Sequence, residues 1–187
     1  MRIRNETELR QIVEPPHPAM RDKAIPVIDD QSRRFLAAST FFLLATASAD
    51  GTMDVSPRGE PAGGVVVLDE RRLAFPDRPG NRRLDSLRNI LQRPQVGMLF
   101  VIPGKTETLR VNGRASVFGD PPFVSAPLGV VVEVEELFLH CGQSLKRASL
   151  WEPENWPAAE IVPTTGELIK SQGRHRSAPR PETADAT

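Results

Sequence analysis

Apolar and polar positions change their period several times along the chain, and those changes predict most of the elements. Asp29 or Asp30 can cap a helix carrying Phe35 and Leu36, which leads into "FFLLATA" at 41–47. That apolar run is too short and too closely flanked by turns for a long helix, so it reads as the first core strand. "ADG" at 49–51 is a hairpin signal because glycine tolerates positive φ. In "TMDVS" alternation puts Met53 and Val55 on one face and Asp54 and Ser56 on the other, a half-wet strand. "GGVVVLDERRLAF" reads as two strands joined at the charged Asp69–Arg72 turn. "QVGMLFVI" is a buried strand, "ETLRVNGRASV" an alternating one and "GVVVEVEELFL" a β-branched one. Six or seven strands with two convincing helices predict a mainly β chain, an antiparallel barrel rather than a run of βαβ units.

The flanks follow other patterns. Residues 1–28 combine a short possible helix, Glu6–Val13, with Pro15, Pro16, Pro18 and Pro26, and read as an arm. Residues 29–165 hold the single domain. "SQGRHRSAPRPETADAT", 171–187, has no large apolar side chain to repay the entropy of ordering, so residues 166–187 are expected to be a disordered tail. A length of 187 residues suits this division into one domain and two ends.

Charge changes the picture locally and nowhere else. The 24 basic and 24 acidic side chains cancel, which argues against nucleic acid as a partner. No apolar leader or spanning run occurs, and the single Cys141 cannot form an internal disulfide, so a cytoplasmic protein without membrane partners is expected. Within residues 76–93, however, Arg78, Arg82, Arg83, Arg88 and Arg93 face only Asp77 and Asp85; five against two leaves a local +3. Pro79-Gly80 breaks the preceding strand, and Asn81 is a candidate N-cap for a helix with an apolar stripe of Leu84, Leu87, Ile90 and Leu91. On that reading Arg82 and Arg83 stand in the first helical turn, where cations are unfavourable unless an anion sits over the helix start. Phosphate fits best, because guanidinium forks match its oxygens in pairs. Spacing alone leaves open a solvated charged face with Asp77 and Asp85 as partners.

The blocks "DVSPRG" and "PDRPGNRRLDSLRN", with "FLLATASADGT", "MLFVIPGKTETLRVNGRASV" and "VEVEELFLHCGQSLKRASLW", resemble the FMN-binding split barrels related to pyridoxamine 5′-phosphate oxidase. The likeness covers about residues 30–157, and within that family it is to a branch of FMN-dependent enzymes of unassigned substrate. It implies an antiparallel, Greek-key split β-barrel and a homodimer with FMN in the clefts between subunits. It also implies an oxidoreductase acting on a small molecule. Alternatives within the same resemblance are a flavin-binding sensor or carrier without turnover, or a split barrel using deazaflavin or haem. The resemblance places Ser56, Pro57 and Arg58 beside the isoalloxazine or ribityl chain. Asn81, Arg82 and Arg83 would hold the phosphate, with Asp77 and Arg78 close by. Glu107, Thr108 and Arg110 fall in the cofactor-facing region of the family, and Lys146 and Arg147 are implied second contacts, from the partner subunit in one arrangement. The "PPFVSAPLG" connection is shorter than the branch implies, and Gly142-Gln143 departs from its pattern.

Other candidates carry less. Cys141 beside His140 suggests a nucleophile, but a lone cysteine after an apolar strand reads as a small buried hydrophobe, and His140 as a half-buried strand-end residue. His17 and His175 lie in the arm and tail, so no three ligands converge on a metal. Ser56 lacks the tight glycine-flanked turn of a hydrolase nucleophile. Trp151 and Trp156 read as packing residues, and the absence of tyrosine excludes a tyrosine acid.

Overall fold

In the computed structural model, which describes residues 2–177, the chain divides into two compact units, the first ending at Trp151 and the second beginning at Glu152. In the first unit seven strands form one antiparallel sheet: β1 (Phe41–Ala47), β2 (Met53–Gly59), β3 (Val66–Val67), β4 (Arg72–Pro76), β5 (Gln95–Val101), β6 (Thr108–Gly119) and β7 (Leu128–His140). Each falls where the hydrophobic pattern predicts a strand. Their order is β2-β1-β5-β6-β7-β4-β3. Strands β5, β6 and β7 are consecutive antiparallel neighbours, and β4, which precedes them in the chain, lies beside β7, a Greek-key arrangement.

Packing shows that the sheet closes on itself. Strands β1 and β4 are four steps apart in the order, which in a flat sheet would separate them by about 19 Å. Yet the rings of Phe42 on β1 and Phe75 on β4 lie 5.1 Å apart, edge to face, and Phe100 of β5 packs 5.0 Å from Phe42. The sheet therefore curls around one core, with Leu44, Leu73, Met98, Val111, Val130, Val132 and Leu137 buried inside it. A register shift between Asn112 and Gly113 lets the long β6–β7 pair bend. Gly113 is required there, since a Cβ would stand 2.0 Å from the Glu133 carbonyl oxygen. The fold is a split barrel.

Helices plug the barrel. Helix α3 (Asp30–Ala38) is capped by the Asp29 carboxylate, which accepts from Ser32 N at 2.8 Å, and buries Leu36. Helix α4 (Asp85–Gln92) buries Leu87 and Ile90, and its Asn89 Nδ2 donates to Thr46 Oγ1 of β1 at 3.0 Å. The expected Asn81 cap is corrected by the structure. The cap position belongs to Leu84, at φ 58° and without a side-chain capping bond, while Asn81 Oδ1 accepts from Arg83 N within a preceding turn. Arg82 and Arg83 thus precede the helix instead of forming its first turn. Leu84 and Leu91 are exposed, so the apolar stripe narrows to Leu87 and Ile90.

The N-terminal arm contains short helices α1 (Glu6–Arg10) and α2 (Pro18–Arg21), α1 ending short of the expected Val13. It is tied to the barrel by Ile25, which exchanges backbone hydrogen bonds of 2.8 and 2.9 Å with Leu137. Helix α5 (Gln143–Arg147) follows β7. The second unit, by itself, holds two single 3-10 turns and helix α6 (Thr165–Gly173), started by a capping box between Thr164 and Glu167. This helix occupies residues expected to be loose tail; residues 174–177 continue it as a turn, and 178–187 lie outside the described residues. Among the described residues no helix is long and apolar enough to cross a membrane.

Candidate functional site

Where β2 and β4 approach, they do not pair, and a cavity of about 500 Å³ lies in that seam. Strand β2 and the 76–84 loop form its walls, with the start of α4 at one end. Strand β2 is inverted relative to an ordinary half-wet strand. Met53 and Val55 are 65% and 60% exposed, while the side carrying Asp54, Ser56 and Arg58 is half-buried along the cavity. Polar residues turn inward on an edge strand because the space they face is a cavity and not the core.

Two ion pairs bridge the seam in place of a backbone ladder. Arg58 Nη1 donates to Asp77 Oδ1 at 2.7 Å, with both side chains less than a fifth exposed. Arg78 grips the Glu60 carboxylate through Nε at 3.0 and 3.1 Å and Nη2 at 2.8 Å, and Glu60 is almost fully buried. That carboxylate raises the guanidinium pKa of Arg78 above its ordinary value. Arg83 Nε donates to Asp85 Oδ2 at 2.7 Å, and Asp85 raises the Arg83 pKa likewise. Ser86 Oγ donates to Asp54 Oδ2 at 2.9 Å, tying α4 to β2.

The cavity lining therefore carries four arginines, Arg58, Arg78, Arg82 and Arg83, and four carboxylates, Asp54, Glu60, Asp77 and Asp85. Arg82 is the arginine of this set without an ion pair among the described residues. It holds φ 61°, a left-handed backbone conformation unusual for a side chain of this kind. One further donor is unmatched: Arg58 Nε is buried and has no hydrogen-bond partner. At the helix end, α4 begins with no side-chain cap, leaving first-turn N–H groups for an incoming acceptor.

Eight predicted site residues, Ser56, Pro57, Arg58, Asp77, Arg78, Asn81, Arg82 and Arg83, meet in this cavity. Thr108, Arg110, Lys146 and Arg147 do not. Thr108 is buried in β6 opposite His140, Arg110 on the same strand is paired with Glu136, and Lys146 and Arg147 end helix α5. Glu60 and Asp54 were missed, although both continue the alternation of Ser56 and Arg58 along one side of β2. Cys141 is exposed, contrary to the expected buried hydrophobe, because β7 ends at His140 and the chain turns outward. His140 is half-buried at that strand end, as expected. Trp151 donates from Nε1 to the Lys105 carbonyl at 2.7 Å, and Trp156 is 55% exposed. No cluster of three or more metal-ligating side chains occurs among the described residues.

Residues 28–127 match the family model described as pyridoxamine 5′-phosphate oxidase. No curated protein matches the chain. Among solved structures, HupZ from Group A Streptococcus is 16% identical, with a TM-score of 0.47, covering 60% of this chain and 93% of that one. A candidate pyridoxamine 5′-phosphate oxidase from Lactobacillus delbrueckii is 22% identical, with a TM-score of 0.47 and coverage of 61% and 95%. HutZ, the heme storage protein from Vibrio cholerae, is 15% identical, with a TM-score of 0.42 and coverage of 60% and 93%. Likenesses of this size carry no inference about ligand or activity.

Proposed function

The chain belongs to the pyridoxamine 5′-phosphate oxidase family, and on that premise we propose that the seam cavity binds FMN and that the protein is an FMN-dependent oxidoreductase acting on a small molecule. The observation that carries the reading is the unmatched Arg58 Nε in a cavity whose other cations are largely balanced. A buried donor without an acceptor costs about 1–3 kcal/mol, and a ligand rich in lone pairs removes that cost. Asn81, Arg82 and Arg83, beside the uncapped start of α4, suit the phosphate; Arg82 brings charge that no carboxylate among the described residues has claimed. Ser56, Pro57 and Arg58 suit the ring and ribityl chain along β2, with Asp77 and Arg78 fixing both walls.

FMN, when bound, supplies redox chemistry that side chains lack. The protein's part is to hold it, orient it and present donors. Arg58 is fixed at one end by Asp77, so its remaining N–H is directed rather than floppy, which is what a preorganised electrostatic contact requires.

The outer face of β2, β1 and β5 carries Met53, Val55, Phe41, Leu43 and Leu99, an apolar surface beside the cavity. It supports a homodimer built on this face. Thr108, Lys146 and Arg147 would reach a flavin only across such a pairing. Val55→Glu should convert the dimer to monomer in light-scattering measurements; an unchanged mass would remove this face from the assembly.

The direct test of the cofactor is the visible spectrum of the purified protein together with FMN titration. Binding at micromolar concentration or tighter, corresponding to about 8 kcal/mol, is expected. A colourless protein that takes up no added FMN would sink the reading.

A further inference from the structure

A second concentration of cations lies outside the seam cavity, on β6, β7 and the N-terminal arm. In the β6–β7 register Arg110 stands opposite Phe138, and Thr108 opposite His140. The Arg110 guanidinium carbon is 4.0 Å from the Phe138 ring centroid, Lys23 Nζ is 4.5 Å from the same point, and the His140 ring centroid is 4.8 Å away. Two fixed cations and an imidazole thus gather around one ring. The carboxylate paired with Arg110 is that of Glu136, whose Oε1 accepts from both Arg110 Nη2 at 2.7 Å and Asn112 Nδ2 at 2.9 Å. Lys23 has no ion pair among the described residues and donates to the Leu139 carbonyl at 3.2 Å.

Two features of this cluster are costly as they stand. Two cations share one ring with a carboxylate paired to Arg110 and none to Lys23, and Arg110 Nε is buried with no partner. An oxyanion beside His140 answers both: it offers Arg110 an acceptor and brings Lys23 the negative charge it lacks. We propose that Lys23, Arg110 and His140 form an anion-binding site, separate from the seam cavity, that takes the phosphate or carboxylate group of a small molecule.

The parts divide as follows. Glu136 and Asn112 hold Arg110 in place from the adjoining positions. Lys23 comes from the arm, which the Ile25–Leu137 hydrogen bonds pin against β7 at this point. Burial first, then Arg110 and Lys23, push the His140 pKa below its ordinary value. With His140 neutral the two cations and Glu136 leave one positive charge; an anion bound beside the imidazole favours its protonated form, which adds a second. Binding therefore takes up a proton at His140, and a dianion gains more from this than a monoanion. The site does not rest on the flavin reading.

The test follows the histidine Hε1 resonances of the full-length protein by NMR while inorganic phosphate or malonate is added at ionic strength held constant with sodium chloride. His140→Asn assigns its signal against His17 and His175. A saturable shift of His140 alone, with its pKa moved upward, is expected, and Lys23→Ala and Arg110→Gln should each weaken binding by about tenfold. A response to phosphate and not malonate makes this a phosphate site, and the reverse a carboxylate site. No saturable change with either anion, equal shifts at all three histidines, or unaltered affinity in both variants overturns the proposal. Lys23 is exposed, so its replacement leaves folding intact, and FMN titration of the same variant keeps failure here distinct from failure at the seam.

Discussion

The barrel wall made by β6 and β7 and the seam between β2 and β4 close the same barrel by different means. The wall is a backbone ladder running from the Thr108–His140 pair to the Gly119–Leu128 pair, with a bulge at Asn112/Gly113. Across the seam two side-chain ion pairs, Arg58–Asp77 and Arg78–Glu60, stand where strand pairing would be. A ladder satisfies its own backbone polar groups and leaves no gap between its strands. Side-chain bridges leave donors and space, which is why the cavity lies at the seam and the wall encloses core.

If that division holds, damage to the wall or core should cost fold, and damage to the seam should cost binding first. The largest expected effect is at Phe42, whose ring touches both Phe75 and Phe100 and so reports on closure itself. Phe42→Ala should destabilise the protein by about 3–5 kcal/mol in denaturant melts. Gly113→Val should do comparable harm, because its Cβ meets the Glu133 carbonyl oxygen at 2.0 Å. Loss of under ~1 kcal/mol in both, the size of a surface substitution, would mean the sheet closes without these contacts.

Seam substitutions come next. Asp77→Ala strands the Arg58 guanidinium, whose side chain is 18% exposed, and should cost about 2–3 kcal/mol, less than a fully buried pair would. FMN affinity should fall with it. Arg82→Gly sharpens the comparison, since stability and binding should move in opposite directions. Glycine is at ease at φ 61°, so the variant should gain some tenths of a kcal/mol up to about 1 in thermal stability while losing roughly tenfold or more in FMN affinity. A variant that loses neither stability nor affinity would show that Arg82 holds no ligand.

The same division decides what could be read from sequence. The strands of the wall were legible because each residue answers to its neighbours: alternation in "ETLRVNGRASV" and β-branching in "GVVVEVEELFL" match the buried positions of β6 and β7. The seam answers to the cavity it faces and not to its neighbours in sequence. Arg82 and Leu84 take left-handed conformations that local preference opposes, so the helix start slid from Asn81 to Leu84. Met53 and Val55 turn outward, which no alternation can announce without knowing what covers each face. The local +3 of residues 76–93 was real, but its offset comes from Glu60, eighteen residues before Arg78, and from Asp54 on the far side of the cavity. Charge arithmetic along the chain could not see across that gap.

The smallest effect belongs to the wall's outer surface and tests whether its cations stand alone. Because His140 is held below its ordinary pKa by burial, Arg110 and Lys23, the unfolded chain binds a proton there more readily than the folded one. Stability contributed by this residue is fully present above its unfolded pKa, about 6.5, and is lost as pH falls from there toward the lower folded value. In phosphate-free buffer, His140→Asn should therefore flatten a shallow decline in Tm just below about pH 6.5 without changing Tm at about pH 8, where the imidazole is neutral in both states. Adding inorganic phosphate to the unaltered protein should flatten it too, since an anion beside the imidazole brings the folded pKa back toward the unfolded one. A decline that survives His140→Asn unchanged would show that His140 has no part in the acid response of the barrel, and would remove the imidazole from this cluster's charge balance.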